Sequence, residues 1–358
     1  MSLQRFMNNP VSEWMKGKGP HSDIVISSRV RIARNISDLP FPMLATASQA
    51  AEVVTRTEQT LAQLPQTEHL VGAELLHMDD LTPLQQRVLV EKHLVSPALA
   101  DESRHGAVVL SGDEAVSVMV NAEDHLRIQC LFPGLQLKEA WALASRIDDF
   151  FEERLDYAFD ETLGYLTSCP TNVGTGVRAS VMMHLPALVM TQQINRILPA
   201  VTQVGLAVRG IYGEGSEAVG SLFQISNQVT LGQSETEIVD KISSVALQLV
   251  HHEQRAREQL MHEVRVKLED RVQRSLGVLA HARVVDSKEA MRRLSDLRLG
   301  IDLGLVSGIS ATILNELIVQ TQPGFLQHIS GRQLDTDERD VCRASLIRER
   351  LGRGNGED

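Results

Sequence analysis

Five arginines in the first two thirds of the sequence have a spacing that suits phosphate binding. Arg29 and Arg31 are two residues apart in an apolar segment, so a β-strand would point both side chains to the same face. The other three are Arg127, Arg178 and Arg209. A guanidinium binds phosphate oxygens bidentately and stays charged at neutral pH, so several arginines converging on one site suit a triphosphate. For each arginine alone, a separate surface ion pair is the ordinary alternative.

The distribution of charge indicates an anion site inside an acidic part of the chain. The 358 residues carry 35 basic and 46 acidic side chains, a formal net charge of −11, and all of this excess lies in residues 1–258. Within that part, residues 162–213 contain no Asp or Glu. An acid-free, glycine-bearing segment indicates a place where an anion binds, and a run of buried strands is a compatible alternative. The overall acidity argues against general nucleic-acid binding.

Composition and motifs exclude several classes of protein. No apolar run approaches the ~20 residues that span a bilayer, and residues 1–14 have no signal-peptide core, so we expect a cytoplasmic protein. Cys130, Cys169 and Cys342 lie far apart, which argues against a disulfide framework or a cysteine zinc site. Residues 174–179 match the dinucleotide pattern GxGxxA, but no acidic residue follows where the ribose would need one. P-loop and ordinary protein-kinase motifs are missing too.

Apolar periodicity predicts the elements that position these side chains. Alternation predicts strands over residues 24–34, 107–110, 116–121, 126–130, 164–168, 177–185, 206–211 and 222–227. In the first strand, we expect Ile24 and Ile26 to share the face opposite the two arginines. Helical spacing predicts a helix over residues 138–154 and further helices from residue 235 onwards. We therefore predict an antiparallel α+β domain over residues 1–258, followed by a smaller all-helical domain over residues 259–358.

Four motifs, in order, resemble those of the phosphagen (guanidino) kinase family. Residues 27–31 (SSRVR) look like its first nucleotide-binding strand, and residues 121–127 (NAEDHLR) resemble its NEEDHLR motif. Residues 169–181 (CPTNVGTGVRASV) are similar to its CPTNxGTG…RASV signature. Residues 209–227, which contain RG, GE and ISN, resemble its flexible loop. The resemblance covers about residues 24–250 and is specific because the order and the long spacings both match.

This resemblance implies the antiparallel guanidino-kinase fold, ATP and Mg²⁺ as cofactors, and a set of site residues. Glu123 and Glu214 would orient the acceptor guanidinium and accept a proton, and Cys169 would contact a guanidino nitrogen. Mg²⁺ would be held mainly by phosphates and water. For His93, an ordinary position on a helix surface is an equal alternative to nucleotide contact. The residues that the resemblance assigns to ATP are Ser27, Ser28, Arg29, Val30, Arg31, His93, Arg127, Arg178, Ala179, Ser180, Val181, Met182, Arg209, Gly210, Ile211, Tyr212, Gly213 and Glu214.

Two further features are similar to the bacterial protein-arginine kinase branch of that family. The arginine strand begins at residue 27, so we expect the N-terminal helical domain that helps select small guanidino substrates to be absent. The helical domain follows instead, and its residues 339–344 (RDVCRA) resemble the RDxxRA motif of the branch. By resemblance, an allosteric phosphoarginine site would consist of Arg339, Asp340, Arg343 and Ala344. A solvated charged helix is the alternative.

The branch implies a kinase that transfers the γ-phosphate of ATP to arginine side chains of proteins. It also implies protein substrates with exposed arginines, a zinc-containing activator protein, the Clp protease system, and a homodimer or larger assembly. A small-molecule guanidino kinase is one alternative. A non-catalytic phosphoarginine-binding adaptor is another, because Ala122 replaces the first of the family's two consecutive glutamates. Gln224 is a second departure, at a position where phosphagen kinases often have an aspartate.

Overall fold

Antiparallel strands form the main sheet of this computed structural model, which describes residues 2–9, 11–63, 72–210 and 219–353. The strands are β1 (Val25–Arg34), β2 (Glu74–His77), β3 (Ala107–Leu110), β4 (Val116–Val120), β5 (Leu126–Pro133), β6 (Phe159–Asp160), β7 (Gly164–Tyr165), β8 (Val177–His184), β9 (Leu206–Gly210) and β10 (Leu222–Asn227). Eight of these described strands form one antiparallel sheet in the order β2-β3-β4-β5-β1-β8-β10-β9, and β6 pairs with β7. The predicted antiparallel α+β class is confirmed.

Eight of the ten described strands correspond to predicted ones, although several of their bounds differ, and β6 (Phe159–Asp160) is missing from the prediction. The strand predicted over residues 164–168 stops at Tyr165, because Ser168 N–H donates to the Asp124 carboxylate at 2.7 Å instead of joining a ladder. Strand β2, at the edge of the sheet, has only four residues and is missing from the prediction. The hairpin of β3 and β4 pairs in register, with Ala107 opposite Val120.

A β-bulge changes the side-chain alternation at the start of β1. The register shifts between Val25 and Ser27. Ile24 therefore packs in the core beneath the sheet, whereas Ile26 joins the apolar cluster on the other face, which includes Trp14. The prediction that Ile24 and Ile26 share one face is wrong, because a bulge inserts one residue and reverses the alternation.

Helices cover both faces of the sheet. They are α1 (Ser2–Asn8), α2 (Ala47–Leu61), α3 (Pro83–Glu91), α4 (Pro97–Asp101), α5 (Leu137–Glu152), α6 (Pro186–Met190), α7 (Ile194–Gln203), α8 (Glu235–Glu263), α9 (Arg265–His281), α10 (Ser287–Asp302), α11 (Ile313–Gln320), α12 (Pro323–Ser330) and α13 (Thr336–Arg353). On one face, α5 and α8 bury their apolar stripes against β1, β5, β8 and β10. This packing buries most of that face of the central strands in an apolar core, which also encloses the ion pair between Arg34 and Asp148 of α5.

The C-terminal helices share a second core with the first residues of the chain. Phe6 and Trp14 are buried in one cluster with side chains of α10 and α11. Asn315 Nδ2 donates to the carbonyl of Met15 at 3.3 Å, and Arg298 donates to the carbonyl of Ser22 at 2.9 Å. The helix α8 continues through residue 258 and ends at Glu263.

A buried ion pair fixes the N-terminal segment to the sheet. Lys92 Nζ lies 2.5 Å from Glu114 Oε1 and also donates to the carbonyls of Phe6 and Asn9. Ser12 Oγ donates to the second oxygen of Glu114 at 2.5 Å. The side chains of Lys92 and Glu114 are 0% and 2% exposed. Because a buried charge without its partner is costly, this pair ties the segment that carries Trp14 to the core.

Three histidines are kept neutral by burial. Burial and the nearby Arg29 lower the pKa of His93 to about 4. Burial also lowers the pKa of His125. The pKa of His184 lies well below its ordinary value, because the ring is buried and faces two arginine guanidinia. In the folded chain these rings resist protonation at mildly acidic pH.

These histidines predict a loss of stability as the pH falls below about 6.5. The unfolded chain binds protons at these rings near pH 6.5 and the folded chain does not, so acid favours unfolding. The free energy of unfolding should fall by up to ~1.4 kcal/mol per pH unit for each histidine. Urea denaturation between about pH 7.5 and pH 5 measures this slope. His184→Gln should reduce it, and a stability that stays flat across this range would contradict the prediction.

Candidate active site

Strands β1, β5, β8 and β9 bring the five arginines to one cleft. Arg29 and Arg31 lie on β1, Arg127 on β5, Arg178 on β8 and Arg209 at the end of β9. Arg31 stands directly opposite Arg178 in the ladder. All five line a cleft of about 600 Å³ on the face of the sheet away from α5 and α8. Alternation along adjacent strands is therefore enough to gather arginines that lie up to 180 positions apart in the sequence.

The arginines of the cleft repel one another. Burial lowers the pKa of Arg29 to about 10, and repulsion from Arg127 and Arg178 adds to this effect. The charged form of this guanidinium is therefore destabilised, although it still predominates at neutral pH. Burial and the neighbouring guanidinia also lower the pKa of Arg31 well below its ordinary value. Among the described residues, Arg31 Nε is buried without a hydrogen-bond partner. Like charges facing each other across strands destabilise a sheet, so a bound polyanion would relieve the repulsion and meet the unused donor.

The residues that the resemblance assigns to ATP divide between the two faces of the sheet. The side chains of Val30, Ala179 and Val181 lie in the core under the helices, and Ser28 Oγ donates to the carbonyl of Gly134 at 2.8 Å. These four side chains point away from the cleft, because the alternation of a strand requires it. On the other face, a small cavity that shares Arg29 and His93 with the cleft is lined by Ser27, Arg29, Ser180, Met182 and Trp14.

His93 lies in the cleft and not on a helix surface. It follows α3 with a left-handed backbone (φ 61°), and its ring lines the cleft beside Arg29. The ring contacts Trp14 edge-on, with the centroids 5.5 Å apart. Gln129 Nε2 donates to the carbonyl of His93 at 2.8 Å. Trp14 and Gln129, which sequence reasoning missed, thus hold a neutral imidazole against the arginine cluster.

Glu123 provides a negative charge at the edge of the positive cleft. Its carboxylate pairs with Arg127, and its side chain is 44% exposed. Although burial opposes ionisation, the pKa of Glu123 is lowered, because Arg127 and then Arg31 attract its negative form. An ionised, accessible carboxylate beside an anion site can orient a cationic acceptor next to bound phosphate.

Asp124 connects the loop of Glu123 to the loop of Cys169, and His125 connects it to the segment that follows β1. Asp124 Oδ1 accepts from Ser168 N–H and from Asn35 Nδ2, each at 2.7 Å. His125 Nδ1 accepts from Ile36 N–H at 3.0 Å, and Nε2 lies 2.9 Å from the carbonyl of Pro40. Ser168 directly precedes Cys169, so the carboxylate of Asp124 sets the position of the cysteine relative to Glu123.

Cys169 and Cys130 differ in their exposure to solvent. Cys169 is exposed, with its Sγ 3.0 Å from Thr171 Oγ1. Cys130 is buried in the strand core, and burial raises the pKa of its thiol. Of these two thiols, that of Cys169 alone is accessible to a substrate.

The glycines after Cys169 permit close packing and do not line the cleft. Gly176 has φ 69°, and a Cβ there would lie 2.4 Å from Arg34 Nη1. Gly174 has φ 111°, and a Cβ there would lie 2.9 Å from Leu231 Cα. Of the basic residues in the acid-free segment, Arg178 and Arg209 line the cleft, whereas Arg196 lies on α7 and His184 is buried against Ser295.

The ISN motif supports β8 beneath the cleft. Asn227 Oδ1 accepts from Ala179 N–H at 3.0 Å, and its Nδ2 donates to the carbonyl of Val177 at 3.0 Å. Arg178 Nη2 lies 3.4 Å from Ser226 Oγ. Gly210 and Gln224 line the cleft. Ile211, Tyr212, Gly213 and Glu214 lie outside the described residues.

The C-terminal helices form one wall of the cleft, which the sequence did not reveal. Ile318 of α11 and Gln322, which precedes α12, line it opposite the sheet. The carboxylate of Glu91, at the end of α3, accepts from Gly324 N–H and Phe325 N–H at 2.9 Å each. This carboxylate caps α12 and fixes the wall in place.

The RDVCRA motif lies on α13 with its two arginines in different environments. Arg343 is 2% exposed and donates to the carbonyls of Thr321 and Val285 at 3.0 Å each, besides pairing with Asp340. Arg339 is partly exposed and contacts the carbonyl of Leu334. Ala344 is buried in the second core. The two guanidinia thus do not present one open face here, because that of Arg343 is enclosed by carbonyl groups.

The described residues contain neither a metal-binding cluster nor a helix that could span a membrane. Among the described residues, no group of three or more His, Cys, Asp or Glu side chains is arranged to hold a metal ion. None of the helices in the described ranges is long and apolar enough to cross a bilayer.

Removing one of the opposed arginines should stabilise the protein and weaken its response to polyanions. Arg31→Met keeps a buried aliphatic chain but removes the charge opposite Arg178, so the free energy of unfolding without ligand should rise by up to about 1 kcal/mol. Thermal melts with inorganic triphosphate should show a clear rise in Tm for the unsubstituted protein and a much smaller rise for the variant. Arg274→Met, at a side chain 75% exposed, is the control and should change neither value. An unaltered triphosphate shift in Arg31→Met would contradict this role.

Comparison with known proteins agrees with the geometry of the cleft. The family model described as "ATP:guanido phosphotransferase, C-terminal catalytic domain" matches residues 52–256. A second model, "Protein-arginine kinase McsB C-terminal domain", matches residues 265–358. Two curated proteins named "Protein-arginine kinase", from Halalkalibacterium halodurans and Brevibacillus brevis, are each 62% identical over 98% of both chains.

Solved structures extend the similarity beyond these relatives. A lombricine kinase structure superposes with a TM-score of 0.58 at 26% identity, covering 66% of this chain and 68% of that one. The duplicated taurocyamine kinase from Schistosoma mansoni has a TM-score of 0.60 at 22% identity, covering 71% of this chain and 37% of that one, and shows the fold alone. With one model matching more than half of the sequence and relatives matching nearly all of it, the chain belongs to the ATP:guanido phosphotransferase family, in its protein-arginine kinase branch.

Proposed function

We propose that this protein transfers the γ-phosphate of ATP to a guanidino nitrogen of arginine side chains in proteins. The observation that carries the proposal is the ionised, accessible carboxylate of Glu123 at the edge of a cleft lined by five arginines. The arginines suit a triphosphate and the carboxylate suits a cationic acceptor. The names of the curated relatives and their coverage of 98% of the chain support a protein as the acceptor.

The reaction needs a guanidinium to become a nucleophile. In the transfer, the bond from the γ-phosphorus to the bridging oxygen breaks, a phosphorus–nitrogen bond forms, and the guanidinium loses one proton. Glu123 orients the acceptor and accepts that proton, and the thiol of Cys169 contacts a neighbouring guanidino nitrogen. By resemblance Glu214 shares the role of Glu123. The arginines hold the phosphates and offset charge that develops on the transferred group, and Mg²⁺ would supply further charge neutralisation when it is bound with the nucleotide.

The role of Glu123 predicts a defect in turnover without a defect in nucleotide binding. With ATP, Mg²⁺ and an arginine-rich protein, the unsubstituted chain should form acid-labile phosphate on guanidino nitrogen. Glu123→Gln should lower kcat by about 10²–10⁴-fold and leave the Kd for ATP within about threefold, because the carboxylate acts on the acceptor. Glu139→Gln, at an exposed position in α5, is the matched control. Lost ATP affinity with intact turnover would contradict the role.

The same assay separates two alternative functions. Equal or better turnover of free arginine would assign the chain to small-molecule guanidino kinases. Normal ATP binding without transfer to any acceptor would favour the non-catalytic adaptor, for which Ala122 is the supporting observation. Phosphate on Ser, Thr or Tyr alone would exclude all three functions.

We further propose that α13 binds phosphoarginine and couples this binding to activity. Arg339 and Asp340 are partly accessible, so Asp340 would bind the guanidinium of the ligand and Arg339 its phosphate. Arg343 could also bind the phosphate only if it gave up a hydrogen bond to a backbone carbonyl, such as that of Thr321. Free phosphoarginine should change the kinase rate of the unsubstituted chain, and the double variant Arg339→Ala, Asp340→Ala should lose at least about tenfold in affinity. Unchanged binding and rate in that variant would make the motif part of an ordinary solvated helix.

The resemblance to the branch supplies the proposed cellular setting. Phosphorylated substrates would be recognised by a Clp-type protease, with a zinc-containing protein as activator, in the cytoplasm. A homodimer or larger assembly belongs to the same proposal. Co-purification of the activator with the full chain, and the mass of the chain in solution, test these partners.

A further inference from the structure

A buried arginine outside the cleft is paired with a carboxylate of α5. Arg34 is the last residue of β1, and its side chain points towards α5, on the face of the sheet opposite to the cleft. Its Nη2 donates to Asp148 Oδ2 at 2.6 Å, and the two side chains are 2% and 7% exposed. Neither residue is among those that line the cleft. A buried ion pair adds little net stability by itself, so its presence here indicates a role in fixing local geometry.

The guanidinium of Arg34 contacts both arms of the loop that carries Cys169. Its Nη1 donates to the carbonyl of Thr175 at 2.9 Å. Its Cζ lies 3.5 Å from the centroid of the Tyr165 ring, which is a close cation–π contact. Tyr165 and Gly174 close the loop through two backbone hydrogen bonds, of 2.8 and 3.2 Å. One planar group therefore binds the two arms of this loop, with Cys169 between them.

The surroundings of this guanidinium use its flat shape. Asp148 binds one edge of the group, and the ring of Tyr165 covers one of its faces. A Cβ at Gly176 would lie 2.4 Å from Arg34 Nη1, so this glycine lets the guanidinium reach the carbonyl of Thr175. A lysine ammonium has neither the flat face nor the fork of donors that these contacts need together, so the position is specific for arginine.

The loop of Cys169 is thereby fixed relative to the phosphate-binding arginines. Arg34 lies on the strand that also carries Arg31. From another direction, Ser168 N–H donates to Asp124 of the NAEDHLR motif at 2.7 Å. Cys169 is thus held between two fixed points, one on the arginine strand and one on the loop that carries the acceptor carboxylate. Displacements of about 1 Å at reacting groups can cost about 10²-fold in rate, so this placement matters for the transfer.

We infer that Arg34, held by Asp148, is a positioning residue that places the thiol of Cys169 beside the acceptor guanidinium. The inference rests on the proposed function, since it concerns the acceptor of that reaction. The pair acts through the loop and touches no reacting atom. Burial raises the pKa of Asp148 to about 6 against the attraction of Arg34, so at neutral pH the carboxylate is ionised and the pair is formed.

Two variants separate positioning from stability. Arg34→Met with Asp148→Leu removes both charges and leaves apolar side chains, so the midpoint of urea denaturation should stay close to that of the unsubstituted chain. Asp148→Asn keeps an acceptor for Arg34 but leaves the guanidinium charge uncompensated, so this midpoint should fall further. The order of kcat for transfer to an arginine-rich protein should be the reverse. It should stay within about threefold for Asp148→Asn and fall by about 10–100-fold for the double variant.

Amide hydrogen exchange and ATP binding complete the test. In the double variant, peptides from residues 165–176 should exchange at least about tenfold faster, whereas peptides from β3 and β4 should be unchanged. The Kd for ATP should stay within about threefold, because the arginines of the cleft are intact. Arg154→Met is the matched control and should alter none of these values. Its guanidinium also lies over an aromatic ring, that of Phe150 at 4.0 Å, and pairs with Glu153, but at the surface.

Three results would overturn the inference. The first is unchanged loop exchange and kcat in the double variant, and the second is exchange that becomes uniformly faster throughout the chain. The third is a set of kcat values that follows the order of stability in the two variants, which would make the pair an ordinary part of the core. Faster loop exchange in the double variant, with no transfer to arginine by the unsubstituted chain, would keep Arg34 as the residue that fixes the loop and reject the proposed function.

Discussion

Repulsion among arginines held on neighbouring strands is the constraint on which the rest of this structure depends. Arg31 faces Arg178 across the ladder, and Arg29 and Arg127 flank this pair. A sheet can keep such charges together only if its strands are fixed by other means. The largely apolar core beneath α5 and α8 provides this, because it buries the alternate residues of the same strands.

The motifs of the sequence contain residues with two different roles, some lining the cleft and others fixing loops. The sequence alone does not distinguish these roles. In NAEDHLR, Glu123 and Arg127 face the cleft, whereas Asp124 and His125 bind three backbone groups in two other segments. Asn227 of the ISN motif likewise supports β8 from below. Buried polar groups must be paired, so these side chains fix loops whose positions would otherwise vary. Chemistry at the cleft depends on them without their touching a substrate.

The C-terminal helices pack against the segments that form the cleft. They share an apolar core with Phe6 and Trp14, and Trp14 in turn packs against His93. They also provide Ile318 and Gln322 as a wall, fixed by the cap that Glu91 gives to α12. Any event that shifts α11 or α12 would therefore alter the shape of the arginine cleft. This contact offers a physical route between α13 and the site, since α13 buries Ala344 in the same core.

The sequence by itself determined the antiparallel class, most strands, the two arginines of β1 on one face, and the family. It could do so because the alternation of apolar side chains and the motifs are both recognised from residues that are close together in the sequence. The tertiary structure alone decided the bulge that separates Ile24 from Ile26, the wall formed by the last helices, and the burial of Arg343. These features depend on contacts between distant segments, such as Asn315 with Met15, 300 residues apart. No local pattern records which distant surface covers a side chain, so such contacts emerge only when the whole chain packs.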